Sequence, residues 1–151
     1  PRGAFVGLSL RHGRAHIMRS VFEGITFGMR DSMHIMRELG LEIEQIRATG
    51  GGAKSPFWRQ MQADIYGAPV VTVNNSEGPA FGAALMGGVA AGVYSDLAEA
   101  SDELVKVEST VDPDRDRASQ YEDWYHRFRS LYPALKGEFA SLAAQVDTTV
   151  A

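Results

Sequence analysis

Three consecutive glycines, Gly50-Gly51-Gly52, stand between the run 43–49 and the pair Ser55-Pro56. Ser55 has the residue type of a helix N-cap, and Pro56 suits the first helical position. The run 43–49 ends in small and β-branched residues and reads as a strand. A strand, a glycine turn and a helix start therefore follow one another directly. Glycine lets backbone approach a ligand closely, and the N–H groups of a helix start favour an anion. The same glycines also suit a tight turn that needs special backbone angles. Taken by itself, the turn leaves both readings open.

The pattern extends in both directions. Residues 4–10, rich in Phe, Val and Leu, read as a strand. From 14 to 39, Met18, Val21, Phe22, Ile25, Met29, Met33, Met36 and Leu39 recur at helical steps, and Gly40 ends the helix. Beyond the turn, Phe57, Met61 and Ile65 mark a helix that stops before Gly67. Residues 69–73 form a short β-branched strand, 74–79 turn the chain, and 79–93 form a helix so rich in Gly and Ala that other backbone is expected against it. Residues 104–110 suggest a further strand. Asp112-Pro113 opens a last helix with a stripe through Tyr121, Tyr125, Phe128, Leu135 and Phe139, kinked at Pro133, with a frayed tail after Ala144. Alternation of this kind is an α/β order, with ligands beyond the C-terminal ends of the strands. That rule points to the turns after Leu10, Thr49 and Val73.

Bulk properties remove other classes. The chain has 151 residues, enough for about one domain, and its net charge is −4 with both signs interspersed. This is not the basic footprint of a nucleic-acid binder. There is no cysteine, which excludes disulfides and thiolate chemistry and fits a reducing cytoplasm. The longest apolar run, 80–93, has 14 residues. A membrane span needs roughly 18–20. The opening PRGAFVGLSL lacks the layout of a signal peptide, so the chain reads as starting inside a domain.

Several local features have plainer explanations. Lys54-Ser55 ends the glycine turn, but Ala48 and Ala53 stand where a P-loop requires glycine. His12 and His16 are spaced like two zinc ligands on a helix, yet Gly13 replaces the expected glutamate and no third ligand is suggested. A solvent-facing pair is expected. Glu23 should be solvated or paired with Arg19. Trp124, Tyr125 and Phe128 lie at helical spacing and read as core, and the mixed charges of 112–117 as a solvated helix start.

Longer segments carry a family likeness. Residues 3–23 (GAFVGLSLRHGRAHIMRSVFE) resemble the second signature of the FGGY carbohydrate kinases. Gly3, Phe5, Gly7 and Leu8 fit its strand portion. His16, Ile17, Ser20, Val21, Phe22 and Glu23 fit its helical portion. Residues 50–66 (GGGAKSPFWRQMQADIY) resemble the family's adenosine-binding turn and helix, and 77–84 (EGPAFGAA) its next helix start. The stretch 121–139, with LYPAL at 131–135, is similar to the C-terminus of the xylulokinases.

The resemblance implies an α/β fold of the ribonuclease H-like, actin-like ATPase type, represented by its C-terminal part, a mixed sheet flanked by helices. Residues 1–98 would be the ATP-binding core without its first strands. Residues 99–151 would add a strand and a long helix packed on the same domain. The implied reaction transfers the γ-phosphoryl group of ATP to a sugar hydroxyl. Xylulose is the preferred sugar, with ribulose, gluconate or glycerol as alternatives. Backbone N–H groups of Gly51 and Gly52 would face the α-phosphate and ribose, and Ser55 would sit near the adenine. The catalytic aspartate, the sugar site and the acids that position Mg²⁺ lie upstream in the family. Asp31, Asp64 and Asp96 match none of those motifs, so no catalytic residue or metal ligand is assigned. Implied partners are ATP or ADP, a small sugar, the N-terminal portion of the same protein and a second copy. Neither nucleic acid nor membrane is implied, and the setting is cytoplasmic. Two other classes stay open, an actin- or chaperone-type ATPase and a non-catalytic binding or assembly module. The signature match at 3–23 speaks against the first.

Overall fold

The computed structural model describes residues 3–75 and 78–149, with side chains through residue 145. The elements in chain order are α1 (Arg14–Glu38), β1 (Ile46–Arg47), α2 (Gly50–Ala53), α3 (Pro56–Tyr66) and β2 (Val70–Val73). Then follow α4 (Gly78–Ala90), α5 (Leu97–Leu104), β3 (Val107–Val111) and α6 (Arg115–Thr149). The sheet order is β1-β2-β3. β1 and β2 are parallel, with Ile46 opposite Val70, and α2 and α3 form the crossover between them. β3 returns antiparallel beside β2, which makes the sheet mixed.

α3 is the central helix. Its start is the one expected: Ser55 Oγ accepts the N–H of Trp58 at 3.3 Å, and Pro56 occupies the first turn. It ends at Gly67 with φ +63, a left-handed conformation that glycine adopts without penalty. Met61, Ala63, Ile65 and Tyr66 are buried, and they form one core with Phe27 of α1, Val70 of β2, and Tyr121 and Tyr125 of α6. Asp64 is buried too, and fully partnered. Its Oδ1 accepts from Gln60 Nε2 and from the N–H of Asp114, both at 2.8 Å, while Oδ2 meets Arg117 Nε at 3.2 Å. This carboxylate fastens the start of α6 to α3.

α1 is a helix as expected, but it turns a different face inward. Of its anticipated stripe, Phe22 and Met33 pack against the core, whereas Met18, Ile25, Met29 and Met36 are about half exposed. The buried residues are Thr26, Phe27 and Arg30. Two of these are polar, and both are satisfied. Thr26 Oγ1 donates to Phe22 O at 2.7 Å and accepts Trp58 Nε1 at 3.0 Å. The Arg30 guanidinium lies 4.0 Å from the Tyr125 ring centre and pairs with Glu122.

Four other expectations change. Residues 4–10 run exposed and outside the sheet, because no described segment lies alongside to accept their ladder bonds. The small-residue helix α4 buries no residue, and a Cβ at Gly82 would meet nothing within 4 Å. Glu77, which begins one of the matched segments, lies outside the described residues. α5 had no counterpart in the sequence reading, although Asp96 caps it by accepting the Glu99 N–H at 2.9 Å. α6 begins at Arg115, with Asp114 Oδ1 accepting the N–H groups of Asp116 and Arg117, and it continues through Pro133.

Candidate functional site

β1 and β2 both end at one cleft of about 330 Å³. Thr49 and Lys54 form one side of it, and Thr72, Val73 and Asn74 line it from the end of β2. Arg59 of α3 and Glu108 of β3 complete the lining. This is the position that parallel-strand topology assigns to a ligand. The turns after Thr49 and Val73 meet here, and the turn after Leu10 does not line the cleft.

The glycine turn is a single helical turn, not an open loop. Thr49 precedes α2 in extended conformation, and Lys54 and Ser55 donate their N–H groups to Gly51 O and Gly52 O at 3.2 Å. The N–H groups of Gly51 and Gly52 lie in the first turn, where no helical acceptor reaches them. Each glycine has its own setting. Gly50 takes φ +74, which favours glycine. At Gly52 a Cβ would stand 2.6 Å from Cζ3 of the Trp58 ring, so the indole requires its absence. At Gly51 a Cβ would meet nothing within 4 Å. Its lack of a side chain answers to no neighbour within the described residues.

Of the residues singled out by sequence, Gly51, Gly52 and Ser55 form the turn but do not line the cleft. Gly50, Ala53 and Lys54 of the same turn do. Ser55 has its oxygen occupied as the α3 cap. The sequence reading missed Arg59 and Glu108. Glu108 comes from β3, a distant part of the chain with no local signal, whereas Arg59 stands four residues after Ser55, inside the matched segment 50–66. Arg59 Nη1 donates to Ser109 Oγ at 2.7 Å, Ser109 Oγ lies 2.7 Å from Thr72 Oγ1, and the Arg59 Nε is buried with no partner among the described residues.

The other titratable candidates serve the fold. His12 and His16 are exposed and touch edge to face at 5.6 Å. Each Nδ1 accepts a backbone N–H three residues earlier, from Ser9 and from Gly13. Glu23 is paired with Arg19 at 2.8 Å, and Tyr121 donates its hydroxyl to the same Glu23 oxygen at 2.8 Å. The Glu23 hydrogen bond raises the Arg19 pKa, and burial raises that of Tyr121. Asp31 accepts the Tyr125 hydroxyl at 2.6 Å. Burial, reinforced by Asp31, pushes the Tyr125 phenol up to about 12. Among the described residues no group of three or more His, Asp or Glu side chains is placed to hold a metal. No helix among them is long and apolar enough to cross a membrane.

The family model for the C-terminal domain of the FGGY carbohydrate kinases matches residues 1–91. A xylulose kinase of Staphylococcus epidermidis is 36% identical over 93% of this chain, and the match spans 28% of that relative. The crystal structure of ligand-bound xylulose kinase from Lactobacillus acidophilus superposes with a TM-score of 0.87 at 28% identity, covering 94% of this chain and 29% of that one. A gluconate kinase from the same organism superposes with a TM-score of 0.85 at 28% identity, covering 94% and 29%. The mixed sheet flanked by helices is accordingly part of the actin-like ATPase fold of these kinases. The chain belongs to the FGGY family of carbohydrate kinases, as part of its C-terminal domain.

Proposed function

We propose that this chain is the nucleotide-binding part of an ATP-dependent sugar kinase that transfers the γ-phosphoryl group of ATP to a hydroxyl of xylulose. The observation that carries the reading is the glycine turn standing beside a cleft at the ends of two parallel strands. In that turn Gly51 has open space where a side chain would be, and a nucleotide would use it. The N–H groups of Gly51 and Gly52 face the α-phosphate and ribose, and Ser55 lies near the adenine. Ser55 accepts the helix cap bond, so its hydroxyl proton remains available to donate.

Phosphoryl transfer depends mainly on positioning and on stabilising spread negative charge. This chain supplies the wall that holds the nucleotide. The base that takes the sugar proton and the ligands of Mg²⁺ belong to the N-terminal portion of the protein. The span of 28% against the curated relative supports that division. Xylulose is favoured by the xylulose kinases among the similar proteins, and gluconate is the second choice because of the gluconate kinase likeness. ATP supply places the reaction in the cytoplasm.

The test assays the purified 151-residue chain with ATP, Mg²⁺ and xylulose beside the intact kinase that carries it. The chain alone should give no turnover and weak ATP binding by calorimetry. The intact enzyme should prefer xylulose to ribulose, gluconate and glycerol. Turnover by the isolated chain would show that a complete site lies within these residues. Absence of nucleotide-dependent sugar phosphorylation by the intact protein would remove the kinase reading.

A further inference from the structure

β3 carries an irregularity beside the cleft. Thr72 pairs with Ser109 and Val73 with Val107, so Glu108 is an extra residue with no counterpart on β2. An extra residue of this kind bends its strand and re-aims a side chain. Glu108 is exposed and lines the cleft, and its carboxylate has no hydrogen-bond or ion-pair partner among the described residues. Lys54 lines the same cleft and is likewise without one among them. Arg59 adds a second positive charge to the lining.

A nucleotide brings its own polarity to such a cleft. Its phosphates are repelled by Glu108. Its nucleoside end is neutral and carries hydrogen-bond donors, namely the ribose hydroxyls and the exocyclic amino group of adenine. An ionised carboxylate only accepts hydrogen bonds, so a donor is the partner it can take. We propose that Glu108 accepts a hydrogen bond from the nucleoside end of the bound nucleotide and thereby fixes its direction in the cleft. This rests on the kinase reading above. The donor is either a ribose hydroxyl or the base amino group, and the two are separated by analogues.

The experiment uses the intact kinase with Glu108→Gln and Glu108→Ala, each checked for an unchanged melting temperature. The Michaelis constant for ATP should rise roughly tenfold in Glu108→Ala, as befits a lost hydrogen bond to a charged group, while the sugar constant stays constant. The isosteric Glu108→Gln should show a smaller rise, and it carries the comparison if the alanine variant folds poorly. ATP analogues lacking the 2′-hydroxyl, the 3′-hydroxyl or the 6-amino group are then compared. The analogue that lacks the true partner should no longer distinguish the variants from the wild type, and either a ribose or a base result supports the assignment. Equal ATP constants for wild type and both variants would overturn it, as would an equal penalty for every analogue. A wild-type enzyme without nucleotide-dependent phosphorylation would sink the kinase reading instead, which keeps the two failures apart.

Discussion

The indole of Trp58 lies across Gly52, so that a Cβ there would stand 2.6 Å from ring atom Cζ3. The same indole donates its Nε1 proton to Thr26 at 3.0 Å and meets the Phe22 ring edge to face at 5.3 Å. The glycine turn is thus held against α1 through one aromatic side chain. Gly52→Ala must displace that ring, and should destabilise the protein by about 1–3 kcal/mol through overpacking. Chemical denaturation measures this, and a stability equal to wild type would mean that the ring yields freely.

Gly51 should behave in the opposite way. With nothing near its missing side chain, Gly51→Val leaves the fold in place. In the intact kinase it should raise the Michaelis constant for ATP by roughly tenfold or more, with little change for the sugar. Unaltered ATP kinetics in a folded variant would reduce the turn to a purely structural element.

Asp64 ties α3 to the start of α6 through Gln60, Asp114 and Arg117. Asp64→Ala leaves the Gln60 amide and the Asp114 N–H short of an acceptor, a loss of about 1–3 kcal/mol. Denaturant unfolding reads it directly. A double variant with Arg117→Ala should lose less than the sum of the two single variants, since either one already removes the Asp64–Arg117 pair; full additivity would argue that the pair is not coupled.

On α4, Gly82→Leu should leave the melting temperature of the isolated chain unchanged or raise it slightly. The position opens on empty space, and leucine exceeds glycine in helix propensity by somewhat under 1 kcal/mol. A marked drop in melting temperature would show that this face is covered.

Alkaline pH should expose the buried phenols. Burial raises Tyr66 and Tyr125 from the usual 10 to about 12 in the folded chain. A raised folded pKa contributes stability that is complete below pH 10 and is lost as pH climbs toward 12. In an ultraviolet titration of the 5 tyrosines, these two should ionise last, and Tyr125→Phe should remove one late step. A single transition near pH 10 for all of them would contradict the burial.

Short-range physics made much of this protein legible from its residues. Ser55-Pro56 and Gly67 bound α3 through capping geometry, which depends only on neighbouring residues. The Tyr121 and Tyr125 spacing marked the inner face of α6. The signature at 3–23 and the segment 50–66 identified the family, which the model match over residues 1–91 bears out. Tertiary structure decided what periodicity leaves open. α1 carries apolar residues on more than one face, and the side that turns inward is set by distant partners, the Trp58 indole for Thr26 and the Tyr125 ring for Arg30. Residues 4–10 have the composition of a strand, but a strand also needs a neighbour to bond with. The three glycines look equivalent in sequence; backbone angle, an aromatic ring and open space give them three different settings. Glu108 reaches the cleft through a shift in strand register, which arises only when β3 meets β2.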